Sequence, residues 1–391
     1  MAYIAAIMKR ETVAYCQLNR VFGFNPVIGR KLAEAAGSAL NVFYSKDKHK
    51  WRLPASINLG GLEQDRLDST EEELEKLASK GCNFVSIEDK GYPRLLKECE
   101  DAPLGLYIKS KTPAESLFSQ KKAIAIVGTR DVSHYGLEWC QRITEAVAGV
   151  REKPLIVSGL ALGTDIMAHR TALKASAPTV AVMATGIDTV YPGVHSYDAE
   201  RIVEAPFSAL ITDYPPGTSP ISMNFLRRNR IIAGTCDAVI LIESKIHGGG
   251  LMTANLAYSY NREVFALPGK ADDIRSAGCN KLISEKKAEM IFTLEDLMEK
   301  LGYPTSGHRG KASAPPDVER VFSGRLDGGT IDLLKAVTKI IYGNRGISKV
   351  EICQKSGLTP KEINSLVSLL EVEGIVRCDL LGNCSIQNRL V

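Results

Sequence analysis

Ala123-Ile-Ala-Ile-Val-Gly-Thr-Arg130 is the stretch that decides the fold. Five apolar residues in a row, closed by a glycine and two polar residues, describe a strand buried on both faces that ends in a tight turn. The same pattern recurs outward from it. Residues 155–157, 179–183, 209–212, 238–242 and 264–266 are short apolar runs separated by segments of helical length. Buried strands alternating with helices are the signature of an α/β doubly wound, Rossmann-like parallel sheet. Such sheets bind ligands beyond the carboxyl ends of their strands. Glycines gather there: Gly128, Gly159, Gly163, Gly186, Gly248 to Gly250 and Gly269.

The chain has 391 residues, 45% hydrophobic and 24% charged, which suits a soluble protein of two or three domains. Residues 1–80 read as an N-terminal helical module of helix-hairpin-helix or SAM-like type. Gly23, Asn25, Pro26 and Gly29 are turn residues between two amphipathic segments. Contact with a DNA backbone and plain helix packing both remain open for it. Residues 46–51 are charged and expected to be exposed, and a helix follows at 71–80. Residues 81–302 hold the extended Rossmann-like domain, with further strands at 83–87 and 106–108. Residues 303–327, rich in Pro, Ser, Gly and Lys, read as a flexible linker. Residues 328–391 read as a winged helix: helices at 330–341, 348–356 and 360–373, then a hairpin of 375–378 and 383–386 around Leu381-Gly382. Ile363, Leu366, Val367 and Leu370 give the third helix an apolar stripe.

The net charge of +4 permits a nucleic-acid partner without requiring one. Nothing in the sequence approaches the ~18–20 apolar residues of a membrane span. The first residues lack the pattern of a signal peptide, so a cytoplasmic location is expected. Nine cysteines are dispersed without a C-x-x-C pair, as expected for reduced thiols and no metal site.

The second informative stretch is Asn224-Phe-Leu-Arg-Arg-Asn-Arg-Ile-Ile-Ala-Gly234. With Asn224 as N-cap, Arg227, Arg228 and Arg230 fall in the first turns of a helix, where the dipole disfavours positive charge. No acid lies near them in sequence, so the cluster points to a bound anion, with phosphate the first candidate. Gly128-Thr-Arg130 offers backbone amides, a hydroxyl and a planar fork for the same purpose. Ser158-Gly-Leu-Ala-Leu-Gly-Thr-Asp165 and Gly248-Gly-Gly-Leu-Met-Thr253 add two more glycine-rich strand ends. Asp165 reads as a helix cap and His169 as a structural histidine. No G-x-G-x-x-G or G-x-x-x-x-G-K-[ST] occurs, so no dinucleotide or P-loop cofactor is called for. Without a nucleophile, metal cluster or carboxylate pair, binding is favoured over catalysis.

The order of motifs carries a resemblance. Gly91-Tyr-Pro, Val127-Gly-Thr-Arg130, Ser158 to Asp165, Gly186-Ile-Asp-Thr-Val-Tyr-Pro192, Asp213-Tyr-Pro-Pro-Gly217, Arg228-Asn-Arg-Ile-Ile-Ala-Gly234, Leu251-Met-Thr-Ala254 and Pro268-Gly269 follow one another. The chain closely resembles the bacterial DNA-processing protein A family (DprA, also called Smf). That resemblance implies a cytoplasmic, non-enzymatic homodimer that binds single-stranded DNA, protects incoming strands in natural transformation and loads the RecA recombinase. Arg130 matches the family's Gly-Ser/Thr-Arg arginine, and Arg228 and Arg230 its Arg-Asn-Arg signature. Leu226 departs from the usual proline, and Gly193 stands where some members carry a basic residue, so Lys245 or His247 is expected to compensate.

The expected DNA-binding set is Gly128, Thr129, Arg130, Ser158, Gly159, Arg228, Asn229, Arg230, Lys245, Gly249 and Thr253, with Arg227 as a solvated neighbour. The C-terminal helix around Lys361 also carries Glu362, Glu371 and Glu373. That balance suits protein contact or a structural role better than major-groove reading. Two alternatives stay open: a nucleotide enzyme of the phosphoribohydrolase type, and a ligand-sensing regulator acting through the winged helix.

Overall fold

The computed structural model describes residues 2–46, 51, 53–54, 57, 59–303, 317–344, 347–378 and 383–386. The charged residues 47–50, linker residues 304–316 and the expected turn at 381–382 lie outside the described residues. The chain divides into two compact units, Met1–Pro304 and Thr305–Val391. Among the described residues, no helix is long and apolar enough to cross a membrane.

The first unit opens with α1 (Ala2–Phe22), α2 (Pro26–Ala36), α3 (Ala39–Tyr44) and α4 (Asp65–Ala78). Pro26 starts α2, where its missing N–H costs nothing, and Gly37 ends it in the left-handed conformation at φ 81°. Next come β1 (Cys82–Ser86), α5 (Arg94–Lys97), β2 (Gly105–Lys109), α6 (Ala114–Leu117), β3 (Ala123–Val127), α7 (His134–Ala148), β4 (Leu155–Ser158) and α8 (Thr164–Lys174). The unit continues through β5 (Thr179–Val182), α9 (Ser196–Glu204), β6 (Ala209–Thr212), α10 (Ser222–Thr235), β7 (Ala238–Leu241) and α11 (Gly249–Ser259). It closes with β8 (Glu263–Ala266), α12 (Ala277–Ser284), β9 (Glu289–Met290) and α13 (Leu294–Lys300).

The sheet runs in the order β1-β2-β6-β5-β4-β3-β7-β8-β9. From β6 to β9 every pairing is parallel, while β1 and β2 extend the sheet in antiparallel register. The order reverses between β3 and β7, which makes their carboxyl ends the topological switch point. Strand β3 is buried on both faces, as its composition demands. Ile124 and Ile126 join one core with Cys140, Ile143 and Val147 of α7. Ala125 and Val127 join the other, with Ile231 and Ile232 of α10 and with Val13, Leu18 and Phe22 of α1. The first helices therefore share a continuous core with the sheet.

The second unit contains α14 (Val318–Phe322), α15 (Gly328–Gly343), β10 (Ile347–Ser348), α16 (Lys349–Ser356), α17 (Pro360–Val372), β11 (Val376–Cys378) and β12 (Asn383–Ile386). Its three strands pair antiparallel in the order β10-β12-β11. Strand β10 was too short to announce itself in the sequence. Capping boxes start α16 (Ser348 with Glu351) and α17 (Thr359 with Glu362), fixing where each helix begins. Ile363, Leu366, Val367 and Leu370 all enter this unit's own core.

Gly29 shows how closely α2 sits on α1 and the approach to β2. A Cβ there would meet Leu104 Cδ1 at 2.5 Å and Phe22 Cβ at 3.0 Å. Gly29→Val is expected to destabilise the first unit by about 1–3 kcal/mol through overpacking. Urea denaturation checks this, and an unchanged midpoint would show that the contact yields without strain.

Candidate nucleic-acid interface

The carboxyl ends of β3 and β7 open into a cleft of about 560 Å³. One wall is Gly128-Thr129-Arg130, another is the loop from Ser244 to Gly250, and a third is the first half of α10. Of the expected site residues, Gly128, Thr129, Arg130, Arg228, Asn229, Lys245, Gly249 and Thr253 line this space. Ser158, Gly159 and Arg230 do not.

Helix α10 begins three residues earlier than expected. Ile221 occupies the cap position, and Asn224 lies inside the first turn with its amide donating to the Ser219 carbonyl at 3.3 Å. The arginines consequently sit in the second and third turns, and the dipole argument for an anion at this helix end does not apply to them. Successive residues on a helix project about 100° apart, so the three guanidinium groups leave in different directions. Arg228 is buried behind the cleft, where it donates to the Val182 carbonyl and faces Asp165. Arg230 runs the other way, pairing with Asp213 and donating to the Asp101 carbonyl. Burial acts to lower the Arg230 pKa, but Asp213 and Asp101 outweigh it and leave it raised. Arg227 is half-buried rather than solvated: it donates to the Gly23 carbonyl at 3.1 Å and lies over the Phe24 ring.

Arg228 dominates the electrostatics. Burial, first, pulls its pKa below the usual arginine value, Asp165 opposes that, and Arg130 adds to it. Its Nε has no hydrogen-bond partner among the described residues. An incompletely satisfied, desolvated cation at the back of a cleft favours an incoming anion. Asp165 answers from the first turn of α8, accepting from the Ala161 amide at 3.4 Å; the N-cap position itself is Gly163. Burial raises the Asp165 pKa, and Arg228 tempers the rise. Two glycines make this packing possible. A Cβ on Gly159 would strike the Arg228 guanidinium and the Asp165 carboxylate, and Gly163 holds φ at 78° beside the Thr129 and Arg130 carbonyls.

His169 fixes the Gly159 turn from behind. Its Nε2 donates to the Gly159 carbonyl at 2.6 Å, and its Nδ1 lies 2.7 Å from the Thr179 hydroxyl. Ser158 likewise turns inward, donating to the Ile126 carbonyl at 2.6 Å. Asn229 and Thr253 donate to the Gly249 carbonyl at 3.2 and 3.1 Å, so they shape the start of α11. Gly248 at its N-cap has no side chain, the Ser244 hydroxyl accepts from the Leu251 amide at 3.1 Å, and Gly249 and Gly250 line the cleft. A helix start of this kind receives anions. Lys245 is exposed on the same rim.

Two aromatic rings in the cleft wall are not marked in the sequence. Arg130 lies over Phe225, its Cζ 4.9 Å from the ring centroid, and Phe225 meets Tyr191 edge-on at 5.6 Å. As an apolar residue on an amphipathic helix, Phe225 reads as part of its buried side. Its place directly before Leu226-Arg-Arg was the only signal, and that pattern alone does not separate a core ring from a cleft ring.

A family model for DNA recombination-mediator protein A matches residues 83–302. The chain belongs to the DNA recombination-mediator protein A family. The DNA processing protein DprA of Bacillus subtilis is 37% identical over 57% of this chain and 72% of its own length. Protein Smf of Synechocystis is 37% identical over 59% of this chain, and the match spans only 56% of that relative. The X-ray structure of DNA processing protein A from Streptococcus pneumoniae superposes with a TM-score of 0.60 at 29% identity, covering 72% of this chain and 95% of that one. The Helicobacter pylori DNA processing protein A, described for its single-stranded DNA binding mode, gives 0.50 at 27% identity over 56% of this chain and 95% of that one. The family match thus falls on the unit that holds the cleft.

His169 supplies a pH test of the cleft's floor. Burial above all, with Arg228 adding, pushes its pKa down to about 4 despite the Gly159 carbonyl. Between pH 6.5 and 4 the unfolded chain binds a proton that the folded chain refuses, so stability falls as pH drops through that window. The loss reaches about 3 kcal/mol at its lower end. His169→Gln keeps a donor for Gly159 and should flatten this part of the pH–stability curve. Parallel curves for the two proteins would refute the assignment.

Proposed function

We propose that the cleft binds single-stranded DNA, holding phosphates at Arg130, Arg228, Lys245 and the start of α11 while bases rest on Phe225 and Tyr191. The observation that carries this reading is the buried Arg228 behind a cleft whose rim stacks Arg130 on Phe225. Phosphate contacts supply affinity without reading sequence, and aromatic faces accept any base. The described binding mode of the H. pylori protein supports the choice of single strands. In this reading Arg230 acts through the fold, and Ser158 and Gly159 shape the wall from behind.

Protection of incoming strands, RecA loading and homodimer formation complete the proposal, on the strength of the family resemblance. We assign residues 1–80 as a helical module, 81–302 as the DNA-binding domain and 328–391 as a winged helix used for protein contact or structure; of the expected linker 303–327, α14 instead belongs to the second unit, with Val318 and Phe322 in its core. The phosphoribohydrolase alternative is not favoured. The family match is to DNA-processing proteins, and the two carboxylates lining the cleft, Asp131 and Asp165, are engaged by Arg275 and Arg228.

The test is a salt-titrated comparison of single- and double-stranded oligonucleotides. Single strands should bind more tightly, with log K falling against log salt by about 0.7 per phosphate contacted. Arg130→Ala should weaken binding by about 1.5–3 kcal/mol and reduce the salt slope by one such increment. Because Arg130 is exposed, the change is not expected to disturb folding. Wild-type affinity in this variant would sink the assignment.

A further inference from the structure

The cleft does not end at Phe225. The first half of α10 leaves Met223 55% and Leu226 40% exposed, and Leu226 itself lines the cleft. At helical spacing, Phe225, Leu226, Met223 and Arg227 step round the helix in that order, from the cleft to the opposite flank. On that flank Arg227 lies over Phe24, its Cζ 4.1 Å from the ring centroid. Phe24 stands at the turn between α1 and α2 and is 67% exposed. Each side of α10 therefore carries an arginine stacked on a phenylalanine, with an exposed apolar ridge between the two stacks.

We propose that this ridge and the Phe24–Arg227 stack form a second base-binding platform, over which single-stranded nucleic acid leaves the cleft. The inference rests on the cleft reading above. Three observations favour nucleobases as the occupant. The ridge is continuous with the cleft through Leu226. Arg227 forms no ion pair among the described residues, and its guanidinium is anchored by the Gly23 carbonyl at 3.1 Å, so its charge is free to meet a phosphate. With Arg227 on one side of the ring, the exposed remainder of Phe24 offers a π-face to a base, which any base can use. A buried hydrophobic role does not explain an aromatic ring left open at a turn and held in place by a cation. The Gly23–Asn25 turn, which sequence left open between DNA contact and packing, thereby joins the binding surface through a side chain. Gly29, packed against Phe22 and Leu104, does not take part.

The platform lies beyond the cleft, so its contribution depends on strand length. Oligothymidylates of about 5 and about 16 nucleotides bracket the site sizes of single-strand binders. Phe24→Ala should weaken binding of the longer strand about tenfold, as expected for losing a base–aromatic stack, and leave the shorter one unchanged. Phe24→Trp should restore the longer strand's affinity, and circular dichroism should show both variants folded. A 5-iododeoxyuridine placed along the longer strand should photocross-link to the peptide containing Phe24. Wild-type affinity of Phe24→Ala for the longer strand, an equal loss on both lengths, or no cross-link at Phe24 would each overturn the platform. Arg130→Ala on the shorter strand reports on the cleft alone: loss there with no Phe24 effect leaves the cleft standing and removes only its extension.

Discussion

A guanidinium that has been taken out of water organises this protein. Arg228 sits behind the switch point of the sheet with Asp165 opposite and the Val182 carbonyl as its acceptor. Burying such a pair is expensive, and mutual attraction offsets the cost only with close geometry. The fold meets that demand by stripping side chains from the loops around it. Gly159 leaves room for both charged groups, and His169 holds the Gly159 carbonyl in place while staying neutral. The glycine-rich strand ends thus serve two purposes. They let backbone approach a ligand, and they let loops approach one another closely enough to keep Arg228 enclosed.

The second constraint is the division of labour along α10. Three arginines within four positions send their charges to three parts of the molecule. Arg227 reaches the α1–α2 turn, Arg228 the cleft, and Arg230 the ends of β6 and of the approach to β2 through Asp213 and Asp101. One short helix therefore fixes the helical N-terminal segment, the binding wall and the antiparallel extension of the sheet relative to one another. Breaking the Arg230–Asp213 pair would leave a buried charge uncompensated, a loss of about 3–5 kcal/mol. In the proposed reading such a variant loses DNA binding by unfolding the wall rather than by removing a phosphate contact.

Much of this was legible from composition. Ala123–Val127 and its sister strands are apolar at every position, and only a sheet covered on both faces accommodates that, so the architecture followed directly. The helical patterns and the Ile363–Leu370 stripe placed the C-terminal helices to within about two residues, the usual precision of helix ends. The charges were harder. Arg228 and Arg230 look equivalent in sequence, because their partners Asp165 and Asp213 lie far from them along the chain and only the fold brings each pair together. Asn224 is a good cap by type, yet the helix starts at Ser222, since Asn224 is drawn inside by its bond to Ser219. The aromatic partners were invisible for a related reason: Phe225 and Phe24 are ordinary apolar residues until an arginine is seen lying on each.

The contrast between the cleft and the ridge has a consequence for selectivity. In the proposed reading the groups that meet a strand inside the cleft are Arg130, the buried Arg228, backbone amides and Lys245, all suited to phosphate and indifferent to base identity. Across α10 the contacts are ring faces and aliphatic side chains, which accept any base. Paired duplex bases are stacked on each other and present no free face to Phe225, Tyr191 or Phe24. On that reading, discrimination between one strand and two arises from stacking surfaces, while affinity arises from desolvated charge. Because exposed charges are screened by salt more than buried ones, Arg228 should keep its hold on phosphate at ionic strengths where Lys245 has lost most of its own. Selectivity for single strands should accordingly rise with salt even as overall affinity falls.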